Sequence, residues 1–213
     1  MRLKKVADIL ISLFVLMVCG LPMIFIGAWI ALTSPGGVFY LSRRIGLNGR
    51  PFCLYKFRTM HKASDSHGSV NVKRSDPRIT SVGKVLRKTK LDELPQLFNV
   101  LRGDMSLVGP RPDLQMYVDM YSEKERAKIL SVKPGLTDWA SLVNYHQHDF
   151  LMNTDDIDQA FLKYIRPIKV KLQLYYVDHR SIAEDFKILL YTAFKFIGIP
   201  LPLPMEIKDV LNT

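Results

Sequence analysis

The chain has 213 residues, a formal net charge of +10, 48% hydrophobic residues and two cysteines. That length can bury a core without covalent staples, and Cys19 and Cys53 form neither a disulfide framework nor a metal-ligand spacing. The positive excess points to anionic partners, and composition alone does not choose among nucleic acid, anionic lipid and phosphorylated small molecules.

The first element is the apolar stretch from Ile9 to Leu32, preceded by Arg2, Lys4 and Lys5. As one helix its roughly 24 residues reach about 36 Å, enough for a hydrocarbon core of about 30 Å. Pro22, close behind Gly20, removes a backbone hydrogen bond and clashes with the carbonyl four residues back, so a kink is expected there. The far flank carries Arg43, Arg44, Arg50, Lys56, Arg58 and Lys62, with no acid between Asp8 and Asp65. Basic flanks favour the cytoplasmic face at both ends, which a re-entrant hairpin bent at Pro22 satisfies. The alternatives are an ordinary span that tolerates its proline and a cleaved signal peptide, whose apolar part would be shorter. The expected division is a membrane helix over 1–36 and a membrane-associated catalytic domain over 37–213.

Val38 to Ser42 and Phe52 to Phe57 read as strands of a small β-hairpin, with Asn48-Gly49 as the turn signal. His61 to Arg74 is polar and reads as a loop. Ile79 to Leu86 leads into a helical segment that holds Asp92 and Glu93 near its start and ends at Gly103 as C-cap. Either Asp92 or Thr89 serves as its N-cap. Val118 to Leu130 is helical in pattern until Pro134-Gly135, and Ile157 to Arg180 is a longer helix interrupted by Pro167. Ile182, Phe186, Leu189, Leu190, Phe194 and Ile197 make the apolar face of an amphipathic helix, either core or interfacial. Pro200, Pro202 and Pro204 then end it in an extended tail. The fold class is α+β, mostly helical, with amphipathic interfacial helices.

Asp92-Glu93 is the constellation with chemical content. Two acids in a first helical turn have an ordinary explanation, since they sit at the positive end of the helix dipole. Their surroundings add a second one, because Arg78, Lys84, Arg87, Lys88, Lys90, Arg102 and Arg111 lie close in sequence. A carboxylate that attacks a phosphate ester needs cations or a divalent metal to screen the repulsion. A solvated or lipid-facing surface explains part of the same basic set. Walker A, dinucleotide-glycine, zinc-ligand and nucleophile-elbow patterns do not occur in the sequence. His146 and His148 read as a surface pair, and Asp155, Asp156 and Asp158 as a solvated helix start.

Four motifs, Lys56-Phe57-Arg58-Thr59-Met60, Asp76-Pro77-Arg78-Ile79-Thr80, Leu91-Asp92-Glu93-Leu94-Pro95-Gln96 and Asp104-Met105-Ser106-Leu107-Val108-Gly109-Pro110-Arg111-Pro112, resemble the bacterial sugar transferases. These are the monotopic phosphoglycosyl transferases, and the resemblance extends over almost the whole chain. It implies transfer of a sugar 1-phosphate from a UDP-sugar to undecaprenyl phosphate, with release of UMP, at the cytoplasmic face of the bacterial inner membrane. It further implies Asp92 as nucleophile forming a covalent phosphosugar intermediate and Glu93 as its partner. Mg2+ would bridge the Asp92 carboxylate and the pyrophosphate, and Pro22 matches the break of the family's re-entrant helix. Lys56, Arg58, Arg78, Arg87 and Arg111 would form the phosphate-binding surface.

Where many members read Pro-Gly-Ile-Thr-Gly, this chain has Pro134-Gly135-Leu136-Thr137-Asp138, and Ser141 and Tyr145 stand where glutamine and arginine are common. The segment from Asp138 to His148 is therefore expected to shape recognition of the sugar or nucleotide. The competing class is a non-catalytic membrane scaffold or a nucleic-acid-binding protein, which no helix-turn-helix, zinc-finger or RNA-binding pattern supports. Membrane lipid is an expected partner and nucleic acid is not. The sequence sets neither the sugar nor the oligomeric state, and a homo-oligomer is compatible with it.

Overall fold

A computed structural model describes residues 2–61, 72, 76–143, 156–199 and 201–212. The chain divides into two compact units, the first made of Met1–Arg43 and Cys53–Gly103, the second of Arg44–Phe52 and Asp104–Thr213. It is mostly helical with a small two-stranded antiparallel sheet.

The first unit starts with α1, Arg2–Thr33, a single helix in which Pro22 is contained and does not end it. Among the described residues it is the one helix long and apolar enough to cross a membrane. Its inward stripe is Ser12, Leu16, Cys19, Met23, Ile26 and Ile30, all buried or half-buried. These positions step by four and three residues, so they line one face over about 27 Å of helix. From Leu16 onward the stripe packs into one cluster with Phe57, Val82, Leu86, Leu91 and Leu94. The outer face shows Leu10, Phe14, Met17, Leu21, Ile24 and Phe25, all exposed and apolar.

The hairpin has β1, Phe39–Ile45, and β2, Pro51–Phe57, and its tip belongs to the second unit. Its turn is the expected one, with Asn48 at φ 55° and Gly49 at φ 74°, the left-handed conformation for which Asn and Gly are suited. α2, Ser81–Thr89, is capped by Thr80, whose hydroxyl accepts from the Gly83 amide at 2.9 Å. A tight turn over Leu91–Glu93 follows, then α3, Gln96–Arg102, closed by Gly103 in the left-handed conformation as expected. α2 and α3 both pack against α1.

Neither expected N-cap before the acids holds. Thr89 is the last residue of α2 and its hydroxyl donates to the Val85 carbonyl at 2.9 Å. Lys90 takes the left-handed conformation at φ 59°, which breaks the helix before Asp92, and α3 begins after Pro95 with no side-chain cap.

In the second unit, β3, Ser106–Val108, pairs in parallel with β4, Gly135–Thr137, in the register Ser106 to Gly135 and Val108 to Thr137. The helix expected over Val118 to Leu130 is two pieces, α4 at Gln115–Val118 and α5 at Glu123–Ile129. Ser122 and Glu125 form a capping box that starts α5 afresh. α6, Trp139–Val143, follows β4 directly. The long helix is resolved into α7, Ile157–Ala160, a π-turn over Phe161–Ile165, and α8, Arg166–His179. Pro167 sits in the first turn of α8, where its missing N–H costs little.

α9, Ile182–Phe196, is the amphipathic helix. Ile188 is fully buried, while Ile182, Phe186 and Leu190, each four residues apart, are exposed. Beyond the prolines the tail turns helical again as α10, Met205–Asn212, which packs on α8 and buries Ile207. Most of the expected loop from His61 to Arg74, together with His146, His148 and Asp155, lies outside the described residues.

Candidate active site

The dyad is positioned by its neighbours in sequence. Leu91 and Leu94 flank Asp92-Glu93 and pack into the cluster built on α1, so the apolar side of this short turn faces the long helix. The left-handed Lys90 swings the chain out of α2 and into that turn. Asp92 is 7% exposed, and its Oδ1 has no hydrogen-bond partner among the described residues. Glu93 Oε1 accepts from Lys56 Nζ at 2.9 Å, tying the end of β2 to the dyad.

Burial pushes the Asp92 carboxyl above its ordinary range, and the neighbouring Glu93 charge adds to this. Lys56, Lys90 and Arg87 oppose the shift through their positive charges, Lys56 most of all. A carboxylate kept out of water but within the field of three cations is weakly solvated, and hence nucleophilic, only once it is ionised.

Arg87 is half-buried in the wall of the site, and its desolvation lowers its guanidinium pKa from the ordinary value. Its Nε donates to Thr59 Oγ1 at 2.8 Å. Thr59 comes close because Gly83, one turn earlier on α2, has no side chain. A Cβ there would lie 2.1 Å from the Thr59 carbonyl oxygen. Arg78 engages Asp76 in a two-pronged pair, Nε to Oδ1 at 3.0 Å and Nη2 to Oδ2 at 2.8 Å. The pair holds the Asp76 carboxyl below its ordinary range, and Arg87 contributes to the same effect.

Lys56, Arg87, Asp92 and Glu93 therefore interact within the first unit, and Arg78 joins them through its electrostatic coupling to Arg87. Arg58 has a different station. Its Nη1 and Nη2 donate to the carbonyls of Pro35 and Ser34 at 2.5 and 2.8 Å, which caps the exit from α1.

Asn99 stands out in no sequence motif but is structurally central. Fully buried, its side chain accepts from the Tyr55 amide at 3.0 Å and donates to the Cys53 carbonyl at 2.7 Å, imitating a third strand along β2. That bond set fixes α3 to the strand that delivers Lys56. Its one sequence signal is an uncapped asparagine on the apolar side of a short helix.

Arg111 belongs to the second unit. Its backbone amide donates to Asp138 Oδ2 and its Nη1 to the Leu136 carbonyl, both at 3.0 Å. Gln173 Nε2 donates to the Arg111 carbonyl at 3.2 Å. The next residue but one, Asp113, pairs with Lys169 and accepts from the Tyr121 hydroxyl at 2.6 Å. Burial, reinforced by Asp113, pushes the Tyr121 phenol up from its ordinary value. Asp138 is 1% exposed and its other oxygen accepts from the Ser141 amide and hydroxyl at 2.7 and 2.6 Å. Its carboxylate thus serves the Pro110-Arg111-Pro112 turn and the start of α6.

Residues 1–198 match the family described as bacterial sugar transferase. The chain belongs to this family. Among relatives of the bacterial sugar transferases, an uncharacterized sugar transferase of Bacillus subtilis is 39% identical over 197 residues, covering 92% of this chain and 88% of that protein. The UDP-N-acetylgalactosamine-undecaprenyl-phosphate N-acetylgalactosaminephosphotransferase of Aeromonas hydrophila is 36% identical over 192 residues, 89% of this chain and 42% of that one. The UDP-glucose:undecaprenyl-phosphate glucose-1-phosphate transferase of Escherichia coli is 34% identical over 195 residues, 91% of this chain and 40% of its own length. The chain thus spans most of the first relative and about two fifths of the other two. Within this sugar transferase chain, three of the four recognised motifs converge in the first unit, and the fourth builds the Arg111 turn of the second.

Proposed function

We propose that the chain is a phosphoglycosyl transferase that moves a sugar 1-phosphate from a UDP-sugar to undecaprenyl phosphate. The reaction would take place at the cytoplasmic face of the inner membrane and open a surface polysaccharide or glycoconjugate pathway. The observation that carries this reading is the buried Asp92, one residue from the Glu93–Lys56 pair and under the charge of Arg87. Two relatives named for transfers of this kind, one of N-acetylgalactosamine phosphate and one of glucose 1-phosphate, support it.

In the proposed reaction an Asp92 carboxylate oxygen attacks the β-phosphorus of the donor. The new oxygen–phosphorus bond forms as the bond from that phosphorus to the bridging oxygen breaks, and its electron pair leaves with UMP. A phosphate oxygen of undecaprenyl phosphate then attacks the same phosphorus. This forms the lipid diphosphate sugar and returns the carboxylate to Asp92. Lys56 and Arg87 counter the negative charge of the phosphoryl oxygens, and Lys56 also holds Glu93 in place.

The unpartnered Oδ1 of Asp92 and the adjacent Glu93 fit a hard cation that takes one or two protein carboxylates and completes its shell with phosphate oxygens and water. Asp92 and Glu93 would hold Mg2+, which when bound neutralises pyrophosphate charge. The continuous apolar outer face of α1, with its opposite face in the core of the catalytic unit, supports attachment to one leaflet, and a return at Pro22 belongs to the same proposal.

The test is nucleotide release by purified full-length protein in detergent with undecaprenyl phosphate, Mg2+ and a panel of UDP-sugars, beside the Asp92→Asn variant. UMP release that depends on lipid, metal and Asp92 is expected. Release of UDP, or an Asp92→Asn variant as active as the parent, would overturn the mechanism. Labelling of single cysteines placed beyond Leu32 tests the topology, and reaction from the periplasmic side would exclude the re-entrant arrangement.

A further inference from the structure

Thr59 is a fixed point in the wall of the site. The residue before it, Arg58, donates its backbone amide to the Val38 carbonyl at 2.9 Å and its two Nη groups to the Pro35 and Ser34 carbonyls. The Thr59 carbonyl accepts from the Thr80 amide at 3.0 Å, and just beyond it Met60 and Ile79 form an antiparallel bridge. Thr59 is 7% exposed, so its hydroxyl meets α2 from a backbone tied on both sides. Gly83 admits that backbone, and Arg87 follows one turn later on the same face of α2.

The Arg87 guanidinium is used on one edge only. Its Nε donates to Thr59 Oγ1 at 2.8 Å, and this is its one hydrogen bond among the described residues. Nη1 and Nη2 are not among the sealed, unpartnered polar atoms of the unit, so both reach solvent. The nearby acids do not occupy them. Arg78 engages Asp76 in the two-pronged pair, and Asp92, whose charge acts on Arg87, forms no ion pair with it among the described residues. A half-buried guanidinium with Nε fixed and both amino groups open has the donor pattern that grips two oxygens of one phosphate.

We propose that Thr59 is the positioning residue of a phosphate fork: by holding Nε it turns Nη1 and Nη2 of Arg87 to two oxygens of one phosphate group of the UDP-sugar. The inference rests on the reading of the chain as a phosphoglycosyl transferase. An arginine side chain has many rotamers, and a bond at Nε fixes the plane of the guanidinium without using the amino groups. The charge then meets the phosphate in one orientation, with no reorganisation left for the moment of reaction. A valine at this position keeps the shape and loses the acceptor, so the charge stays and the plane is freed.

The experiment compares the full-length parent with Thr59→Val, Thr59→Ser, Arg87→Lys and the double variant Thr59→Val/Arg87→Lys, using Asp92→Asn as the zero. Thr59→Ala replaces the valine variant should that one not fold. Rates of UMP release from UDP-glucose and UDP-N-acetylgalactosamine are measured with undecaprenyl phosphate and Mg2+. Thr59→Val is expected to lower kcat/KM for the UDP-sugar by about tenfold, and Thr59→Ser, which keeps the acceptor, to bring it back to within about threefold of the parent. Arg87→Lys keeps a charge and has no fork to orient, so adding Thr59→Val to it should cost no more than about twofold. A Thr59→Val rate within about twofold of the parent, a serine variant as slow as the valine one, or the same factor lost with and without the Arg87 fork overturns the positioning role alone. A parent that releases no UMP, or an active Asp92→Asn, overturns the transferase reading and this inference with it.

Discussion

Lys56 Nζ and Glu93 Oε1 meet at 2.9 Å, and Lys56, at the end of β2, also supplies the largest favourable charge acting on Asp92, the residue next to Glu93. Both side chains are mostly buried, at 21% and 15% exposure, so the pair is neither fully screened nor free of desolvation cost. Lys56→Met should remove the 2.9 Å bond to Glu93 and make Asp92 harder to ionise. Turnover is expected to fall by about tenfold to a hundredfold, with the acid limb of the pH–rate profile moved to higher pH. Steady-state rates across pH check this, and an unmoved limb would separate Lys56 from Asp92.

Asp92 should make the folded chain less stable as pH rises. Its carboxyl is raised above the ordinary value of 3.8, so between that value and its folded value the native state holds a proton that the unfolded chain has lost. Stability therefore declines with pH across this window. Asp92→Asn removes the decline, and should melt above the parent at neutral pH by on the order of 1 kcal/mol while the two converge in acid. Thermal melts at a series of pH values show the convergence or its absence.

Asp76 behaves in the opposite sense. Arg78 holds its carboxyl below the ordinary value, so its contribution is present above the unfolded pKa and is lost as pH falls through the folded one. Asp76→Asn should cost stability at neutral pH and nothing in strong acid. The same melts, compared with those of Asp92→Asn, should give curves of opposite slope.

Gly83→Ala tests the approach of α2 to Thr59. In an open helix this change would be mildly favourable, but here the new Cβ would sit 2.1 Å from the Thr59 carbonyl oxygen, a backbone atom. A loss of about 2 to 4 kcal/mol is expected, with Arg87 drawn away from the Thr59 hydroxyl. Denaturant unfolding gives the first quantity, and a drop in turnover beyond that seen in equally unstable variants gives the second.

Asp138→Gly installs the residue common among the bacterial sugar transferases. It removes acceptors from the Arg111 amide, the Ser141 amide and the Ser141 hydroxyl at once. The variant should lose about 2 to 4 kcal/mol and retain its preference among UDP-sugars. A changed donor profile in a competition assay would give Asp138 the recognition role expected of its segment as well.

What the sequence revealed follows the range of the interactions involved. α1, the hairpin turn at Asn48-Gly49 and the Gly103 cap are local, and each is encoded in a few adjacent residues. The parallel pair β3 and β4 joins Ser106 to Gly135 through three-residue strands, too short to show alternation and paired across a long intervening stretch. The two pieces α4 and α5 share an apolar pattern that periodicity joins, and only the Ser122 capping box divides them. In the site, the acids and their basic neighbours were legible as residues, but their pairing was not. Arg58 and Arg87 look alike in sequence, yet one closes the end of α1 and the other stands in the field of Asp92. The turn itself depends on Lys90 in a conformation that lysine seldom adopts, which no propensity would propose.

The heptad-like stripe of α1 means that attachment and fold cannot be separated by a cut. Trimming the chain after Thr33 would strip Phe57, Val82, Leu86, Leu91 and Leu94 of the wall they pack against, and two of those leucines bracket the dyad. A version without the helix would expose a greasy trough and release the very turn that holds Asp92. Agents that peel the first helix from the rest of its unit should therefore extinguish turnover along with the packing around the dyad.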